Sequence, residues 1–164
     1  MDEQTINCAI VTISDTRTAA DDESGDALAN LVAASGFVVV ERSIVMDDRA
    51  RIAKVLRELC YRDDISLIVT TGGTGISPRD VTPEATCDVV EIEIPGIAEA
   101  MRRETARKTK TAMLSRGLSG VANSTLIVNL PGSPNGVVEC YGVIEEVLRH
   151  ALNQIAGRAD HRYI

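Results

Sequence analysis

The fold is decided by the stretch Thr70-Thr71-Gly72-Gly73-Thr74-Gly75-Ile76-Ser77-Pro78-Arg79-Asp80-Val81-Thr82-Pro83-Glu84. It follows the apolar run Ser66-Leu67-Ile68-Val69, which predicts a buried strand. Its last three residues predict a helix start, with Thr82 as N-cap, Pro83 in the first helical position and an acid in the first turn. A loop rich in Gly and Thr therefore leaves the carboxyl end of a strand, which is where open α/β sheets bind ligands.

The composition of this glycine loop (residues 72–80) predicts a phosphate-binding site with Mg²⁺. Gly72, Gly73 and Gly75 let backbone N–H groups approach a ligand closely, and such amides suit phosphate. Asp80 follows them, and a carboxylate beside a phosphate is repulsive unless a cation such as Mg²⁺ lies between the two. The loop has neither the ending of a Walker loop nor the glycine spacing of a dinucleotide-binding loop. A plain tight turn would explain one or two of the glycines, but neither the threonines nor Asp80.

Length and composition predict one globular domain with an aliphatic core. The chain has 164 residues, of which 45% are hydrophobic and 25% charged. We expect a single domain over residues 1–164, with its core at about residues 6–157. Because the chain has one Phe, three Tyr and no Trp, the core must be aliphatic, as in a parallel sheet under helices. The net charge of −7 argues against a nucleic-acid partner or an anionic membrane surface.

The sequence indicates neither export nor membrane insertion. Residues 1–4 lack the basic and apolar regions of a secretion signal, and no apolar run approaches the ~20 residues that span a bilayer. The four cysteines, at positions 8, 60, 87 and 140, are far apart and form no C-x-x-C pair. We therefore expect a cytoplasmic protein with reduced thiols, without disulfides or a zinc site.

Polar residues follow two further predicted strands at the same edge of the sheet. The first strand is predicted at residues 8–13 and is followed by Ser14-Asp15; the second is predicted at residues 37–46 and is followed by Asp47-Asp48. A simple turn is sufficient to explain the first pair. For the second pair, composition alone favours an N-cap of the next helix, because Asp is a preferred N-cap residue.

The C-terminal half predicts an antiparallel strand pair and a second ligand loop. Strands are predicted at residues 118–122 and 125–130, and the short Asn123-Ser124 connection favours an antiparallel pair. The proline loop (residues 131–136) leaves the second strand and starts the last helix, with Ser133 as N-cap. The N-terminus of this helix would supply further amides for an anion. These elements predict an α/β fold, a three-layer α/β/α sandwich with a mostly parallel, Rossmann-like sheet and one antiparallel strand pair.

The other segments predict amphipathic helices. One ends at Gly36 in the manner of a C-cap, and another carries a clean apolar stripe over residues 52–60. Gly157 is predicted to end the last helix, before a frayed tail at residues 160–164. The basic run at residues 102–110 is typical of a solvated helix face, and phosphate binding is its less common alternative.

Taken together, these motifs resemble the MoaB/Mog family of molybdenum cofactor biosynthesis proteins, which includes molybdopterin adenylyltransferases and the G domain of gephyrin. The segments that fall in the family's order are Ile13-Ser14-Asp15, Asp22-Glu23-Ser24-Gly25, residues 70–85, Ile94-Pro95-Gly96, Leu114-Ser115-Arg116 and Leu130-Pro131-Gly132-Ser133-Pro134. The resemblance thus covers nearly the whole chain. It implies a molybdopterin-binding α/β domain that assembles as a homotrimer or homohexamer.

The resemblance also implies a reaction and its residues. ATP would adenylylate the terminal phosphate of molybdopterin, with Mg²⁺ required and pyrophosphate released. By resemblance, Asp80 and Asp47 are the catalytic acids and hold the metal, so the resemblance makes Asp47 a site residue where composition alone favoured a helix cap. The residues that resemblance and loop chemistry assign to the binding of molybdopterin and ATP are Ser14, Asp15, Thr71, Gly72, Gly73, Thr74, Gly75, Ser115, Pro131, Gly132 and Ser133.

Two functions in this family stay open on the sequence. A non-catalytic molybdopterin-binding or carrier protein would share the motifs of the adenylyltransferase, whereas a scaffold role as in gephyrin involves additional domains. For either function, we expect a β-branched residue at Gly73 to block the approach of the backbone to a ligand while leaving folding largely intact.

Overall fold

A computed structural model of the protein describes residues 5–158. The predictions for residues 1–4 and for a frayed tail at residues 160–164 lie outside this range. The strands are β1 (Asn7–Ile13), β2 (Val38–Val45), β3 (Leu67–Thr71), β4 (Ile92–Glu93), β5 (Ser119–Ala122) and β6 (Thr125–Leu130). The helices are α1 (Glu23–Ala34), α2 (Arg49–Cys60), α3 (Thr82–Cys87), α4 (Pro95–Thr105), a 3₁₀ helix (Lys110–Leu114) and α5 (Pro134–Ile155). Among the helices of the described part, none is long and apolar enough to cross a membrane.

The six strands form one mixed sheet in the order β2-β1-β3-β6-β5-β4. β1 pairs in parallel with β2 and β3, and β3 pairs in parallel with β6. β5 runs antiparallel to β6, as predicted, and also to the short strand β4. Asn123 and Ser124 form the β5–β6 turn with φ of 44° and 65°, the left-handed values that favour a tight hairpin.

Two apolar layers cover the faces of this sheet. One layer joins α1, α4 and α5 and includes Leu28, whereas the other joins α2 and α3 and includes Leu56. Leu67 and Val69 of β3 belong to the first layer and Ile68 to the second, because successive strand side chains point to opposite faces. Full burial of each such side chain stabilises the fold by about 1.5–3 kcal/mol. The predicted three-layer α/β/α sandwich with a mostly parallel sheet is confirmed.

Several predicted helix ends are also confirmed. Gly36 and Gly157 follow α1 and α5 with φ of 77° and 68°, a conformation that ends helices and that glycine adopts without strain. Ser133 is the N-cap of α5, and its hydroxyl oxygen accepts a hydrogen bond from the Gly136 amide at 3.1 Å.

The start of α1 contains a buried carboxylate, Asp22, that ties this helix to the end of β1. Only 3% of Asp22 is exposed, and its Oδ1 accepts a hydrogen bond from the Gly25 amide at 3.0 Å as the N-cap. Its Oδ2 accepts a hydrogen bond from the buried Thr12 hydroxyl at 2.7 Å, and the Arg42 guanidinium lies 3.6 Å away. A Cβ atom at Gly25 would collide with this carboxylate. The Asp22-to-Gly25 motif therefore has a structural role, because it joins the start of α1 to the end of β1.

We expect Asp22→Ala to lower the free energy of unfolding by about 2–4 kcal/mol, because it removes a helix cap and leaves the buried Thr12 hydroxyl without its acceptor. Urea denaturation followed by circular dichroism measures this change. Asp48→Ala is the matched control, since Asp48 caps α2 through the Arg51 amide at 2.8 Å but is exposed. The control should cost about 1 kcal/mol. Equal losses in the two variants would show that the contact between Asp22 and Thr12 contributes nothing.

Candidate functional site

The sheet topology brings the glycine loop and the proline loop into direct contact. β3 and β6 are parallel neighbours, with Thr71 opposite Leu130, so the loops that follow them leave the same edge. The Gly72 amide donates to the Leu130 carbonyl at 3.2 Å, and the Thr71 hydroxyl donates to the Pro131 carbonyl at 2.8 Å. A Cβ atom at Gly132 would lie 3.2 Å from the Gly72 Cα. The two loops thus form one backbone-lined surface.

The glycines at positions 72 and 73 are required by the fold of the loop itself. Gly72 and Gly73 have φ of 103° and 65°, values that strain other residues. A Cβ atom at Gly72 would collide with the Ile13 carbonyl, and one at Gly73 would collide with the Thr82 hydroxyl. The expectation that a β-branched residue at Gly73 leaves folding intact is therefore wrong.

The predicted N-cap role of Thr82 is also wrong. Val81 holds the N-cap position of α3 and makes no capping hydrogen bond with its side chain. The Thr82 hydroxyl instead donates to the Gly72 carbonyl at 2.9 Å, an acceptor that becomes available only when the loop folds back on the helix. Pro83 lies in the first turn of α3, as predicted.

A cavity of about 690 Å³ opens where the two loops meet, a volume within the usual range for small-molecule sites. It collects eight of the predicted site residues from three separate segments. These are Gly73, Thr74, Gly75, Asp80, Ser115, Pro131, Gly132 and Ser133. α4, the 3₁₀ helix and the first turns of α5 form the remaining wall, with apolar, hydroxyl and charged side chains such as Met101, Thr105 and Arg102.

The other predicted site residues lie behind or beside this cavity. The Thr71 hydroxyl is buried and bonded to the proline loop, and Gly72 backs the glycine loop. The Ser14 hydroxyl oxygen accepts from the amides of Thr16 and Arg17 at 3.2 and 3.1 Å. Ser14 is therefore part of a simple turn, which is the first interpretation given for it above. Asp15 and Asp47 are hydrogen-bonded to each other and do not line the cavity.

The structure distinguishes the two acids that follow β2. Asp48 is the N-cap of α2, so the N-cap interpretation applies to Asp48 and not to Asp47. Asp47 is half-buried, and its Oδ1 would lie 3.2 Å from a Cβ atom at Gly73. Asp80, also half-buried, would have its Oδ2 at 2.8 Å from a Cβ atom at Gly75. One carboxylate therefore lies beside Gly73 and the other beside Gly75.

Burial and neighbouring charges oppose the ionisation of Asp47. Its pKa is raised, first by burial and then by the nearby carboxylate of Asp15, with a smaller contribution from Asp80 and opposition from Arg79. Asp15 is the opposite case, because a hydrogen bond from Arg79, at 3.0 Å from Nε, lowers its pKa. Asp15 also accepts from the Asp47 amide at 3.1 Å, which fixes the backbone of Asp47.

The donor set suits a hard cation in part. Two half-buried carboxylates that repel each other offer the oxygen ligands that Mg²⁺ prefers. Within residues 5–158 no group of three or more His, Cys, Asp or Glu side chains could hold a metal. Mg²⁺ at Asp47 and Asp80 would therefore need further oxygen ligands from phosphate groups or water. The metal role of these two acids stays a prediction.

Three arginines near the cavity make contacts that the sequence did not predict. Arg17 donates to the Gly132 carbonyl at 2.9 Å, Arg102 to the Gly117 carbonyl at 2.8 Å, and Arg116 to the Gly75 carbonyl at 2.8 Å. Arg102 belongs to the run interpreted as a solvated face, and that interpretation holds for Arg103 and Arg107, which pair with Glu104 at the surface. Contacts with partners 15 to 115 residues away leave no local signal in the sequence.

Comparisons with known proteins agree with this architecture. A family described as a probable molybdopterin-binding domain matches residues 9–153. The chain is 36% identical over 158 residues to a molybdopterin adenylyltransferase of Helicobacter pylori strain J99, covering 94% of this chain and 90% of that protein. It is 41% identical over 155 residues to the molybdenum cofactor synthesis protein cinnamon of Drosophila melanogaster. That match covers 93% of this chain but only 26% of cinnamon.

Solved structures show the same similarity. The molybdopterin biosynthesis Mog protein of Mycobacterium ulcerans superimposes with a TM-score of 0.85 at 45% identity, covering 94% of this chain and 99% of that chain. A molybdenum cofactor biosynthesis protein B superimposes with a TM-score of 0.89 at 34% identity, covering 94% and 98%.

We expect Asp47→Asn to stabilise the protein at neutral pH. Because the folded state raises the pKa of Asp47 above its ordinary value of 3.8, the contribution of Asp47 to stability is complete below that value. It is lost as the pH rises through the folded pKa. Thermal unfolding at pH 7 should give a higher Tm in the variant than in the wild type, and this difference should shrink as the pH approaches 4. Asp48→Asn, which keeps a good N-cap, is the control and should show little change. A variant Tm at or below the wild-type value at pH 7 would contradict the electrostatic assignment.

Proposed function

The chain belongs to the family of molybdopterin-binding domains, and on that premise we propose that it transfers the adenylyl group of ATP to molybdopterin. The observation that carries the proposal is the cavity itself. Residues 73–75, Ser115 and the start of α5 line one space although they are far apart in the chain. A site for two phosphate-bearing substrates needs such converging donors, since the protein as a whole is acidic.

The reaction is a displacement at phosphorus. An oxygen of the terminal phosphate of molybdopterin forms a bond to the α-phosphorus of ATP, while the bond between that phosphorus and the bridging oxygen breaks. The electron pair of the broken bond leaves with pyrophosphate. Because the attacking phosphate is already ionised at neutral pH, no side chain has to remove a proton from it. The protein needs only to hold the two phosphates in line and to stabilise their charge.

The residues of the chain supply these two needs through backbone groups. The amides of the glycine loop and the N-terminus of α5, where Asn135 and Gly136 reach the cavity, favour negative charge. Ser115 also lines the cavity and would donate its hydroxyl to the phosphate of molybdopterin. Asp47 and Asp80 would hold Mg²⁺, which neutralises the polyphosphate and the departing pyrophosphate when it is bound.

The relatives support this assignment. The Helicobacter pylori protein, whose name states the reaction, aligns with 94% of this chain. Ile76 and Leu114 line the cavity and are 68% and 47% exposed, and exposed apolar surface of this kind marks a binding or subunit surface. We include in the proposal a homotrimer or homohexamer that works in the cytoplasm. Light scattering that gives a monomer at micromolar concentration would count against the oligomer.

The proposed function is tested by incubating the protein with molybdopterin, ATP and MgCl₂. We expect stoichiometric pyrophosphate and adenylylated molybdopterin, detected by a coupled assay and by mass spectrometry. Neither product should form when molybdopterin or MgCl₂ is left out. A protein that binds molybdopterin but forms no pyrophosphate would be a carrier of the same family, and the adenylyltransferase assignment would then be wrong.

We expect Asp80→Asn to lower turnover by roughly a hundredfold or more, because the variant loses a Mg²⁺ ligand and metal stabilisation is worth several kcal/mol. Its affinity for molybdopterin should be unchanged or slightly improved, since a charge that repels the anionic pterin is removed. Pyrophosphate release measures the first effect, and calorimetric titration measures the second.

Asp88→Asn is the control for this variant. Asp88 pairs with Arg49 at 2.7 Å on the α2–α3 surface and does not line the cavity, so its substitution should leave turnover unchanged. If Asp80→Asn loses pterin affinity as strongly as turnover, Asp80 shapes the pocket and does not serve the metal.

A further inference from the structure

Arg116 donates hydrogen bonds to a single segment, residues 74–84, which contains most of the glycine loop and the start of α3. Its Nε donates to the Gly75 carbonyl at 2.8 Å, and its Nη2 donates to the Asp80 carbonyl at 2.8 Å. Its Nη1 pairs with the carboxylate of Glu84 in the first turn of α3. The backbone amide of Arg116 donates to the Thr74 carbonyl at 2.8 Å. Four donors of one residue thus hold an eleven-residue segment at both ends and in the middle.

Other contacts attach this segment at Arg79, which pairs with Asp15, and at Thr82, whose amide and hydroxyl donate to the Gly73 and Gly72 carbonyls at 3.1 and 2.9 Å. Within it, the Asp80 amide donates to the Ser77 carbonyl at 2.9 Å, and the Ser77 amide donates to Asp80 Oδ2 at 2.9 Å. These two bonds fold the segment on itself and attach it to nothing else, and residues 76–79 are exposed. The Ser77 amide orients the Asp80 carboxylate locally, whereas the path of the backbone at Asp80 depends on contacts from outside the segment, and Arg116 bonds the Asp80 carbonyl directly.

Arg116 is placed to position Asp80 and not to bind substrate. All three nitrogens of its guanidinium group already have acceptors in the protein. Its charge is balanced by Glu84, whose pKa is lowered chiefly by the hydrogen bond from Arg116. An arginine that served a substrate phosphate would line the cavity, and Arg116 does not. Arg116 is also adjacent in sequence to Ser115, which lines the cavity.

We propose that Arg116 is a positioning residue that fixes Asp80 in the orientation needed for Mg²⁺-dependent binding of the nucleotide, and that it links Asp80 to the Ser115 wall of the cavity. The proposal rests on the proposed function, since it assumes that Asp80 serves a metal bound with ATP. Hydrogen bonds from a charged donor to a carbonyl are strong and directional, so they can hold a backbone that would otherwise be mobile.

The variant that tests the proposal is Arg116→Lys, which keeps the charge but offers one nitrogen where three acceptors must be reached. Calorimetry gives the affinity for the α,β-methylene analogue of ATP with and without MgCl₂. In the wild type we expect Mg²⁺ to tighten binding by about tenfold or more. In the variant this gain should fall to about threefold or less, with affinity in the absence of Mg²⁺ little changed. A merely structural role would weaken both affinities alike.

A double-variant cycle shows whether the effect acts through Asp80. In the Asp80→Asn background, Arg116→Lys should change the Mg²⁺ gain no further, because residues that act in series are not additive. Arg62→Lys is the matched control. Arg62 also spans several oxygens, of Asp64 and Glu41 at 2.8–3.0 Å, but it lies before β3 at the opposite edge of the sheet, so its Mg²⁺ gain should equal that of the wild type.

Three results would overturn the proposal: an undiminished Mg²⁺ gain in Arg116→Lys, an equal loss in Arg62→Lys, or a further loss in the Asp80→Asn background. Thermal unfolding checks that each variant is folded. If Arg116→Lys does not fold, Glu84→Gln replaces it and should show the same loss at smaller size, since it weakens one of the contacts of Arg116. A wild type that forms no pyrophosphate but shows the expected binding pattern rejects only the proposed function. An active wild type with an unaffected Arg116→Lys rejects only this inference.

Discussion

The parallel pairing of β3 with β6 is the constraint on which the site depends. It places Thr71 opposite Leu130, so two loops that are distant in sequence leave the sheet side by side. Their contact is between backbones, because a Cβ atom at Gly132 would lie 3.2 Å from the Gly72 Cα. The Gly72 amide donates to the Leu130 carbonyl and the Thr71 hydroxyl donates to the Pro131 carbonyl, so hydrogen bonds join the two loops where they leave the strands. Any register shift between β3 and β6 would separate the loops and remove the cavity.

The second feature of the site is how little free positive charge it contains. The arginines near the loops, at positions 17, 79, 102 and 116, all donate to carbonyls or carboxylates of the protein. Their donors are thus engaged within the protein, and under the proposed function anion binding would fall to backbone amides, which suits a chain of net charge −7. Asp47 is the clearest cost of this arrangement, since its ionisation is opposed by burial and by its carboxylate neighbours. Active sites commonly hold such unfavourable groups at the expense of stability.

Local patterns predicted much of the fold, and distant contacts account for what they missed. The apolar run before the glycine loop, the Asn123-Ser124 turn and the Ser133 cap depend on neighbouring residues and were predicted correctly. The sequence could not show which of Asp47 and Asp48 is the N-cap of α2, because both are aspartate and only the path of the backbone decides. Thr82 bonds a carbonyl ten residues away, and Arg116 bonds one 41 residues away. Neither partner can be inferred from spacing. The functional roles of the site residues stay predictions of the family resemblance and the cavity chemistry.

A crystal structure of the protein with molybdopterin, the α,β-methylene analogue of ATP and Mg²⁺ tests the central claim most directly. We predict phosphate groups in the cavity against the amides of residues 73–75, with Ser115 and the start of α5 on the terminal phosphate of molybdopterin and the metal beside Asp80. Ligands bound elsewhere on the protein, or bound in the cavity with their phosphates turned away from the glycine loop, would contradict the claim that the β3–β6 edge is the site of the reaction.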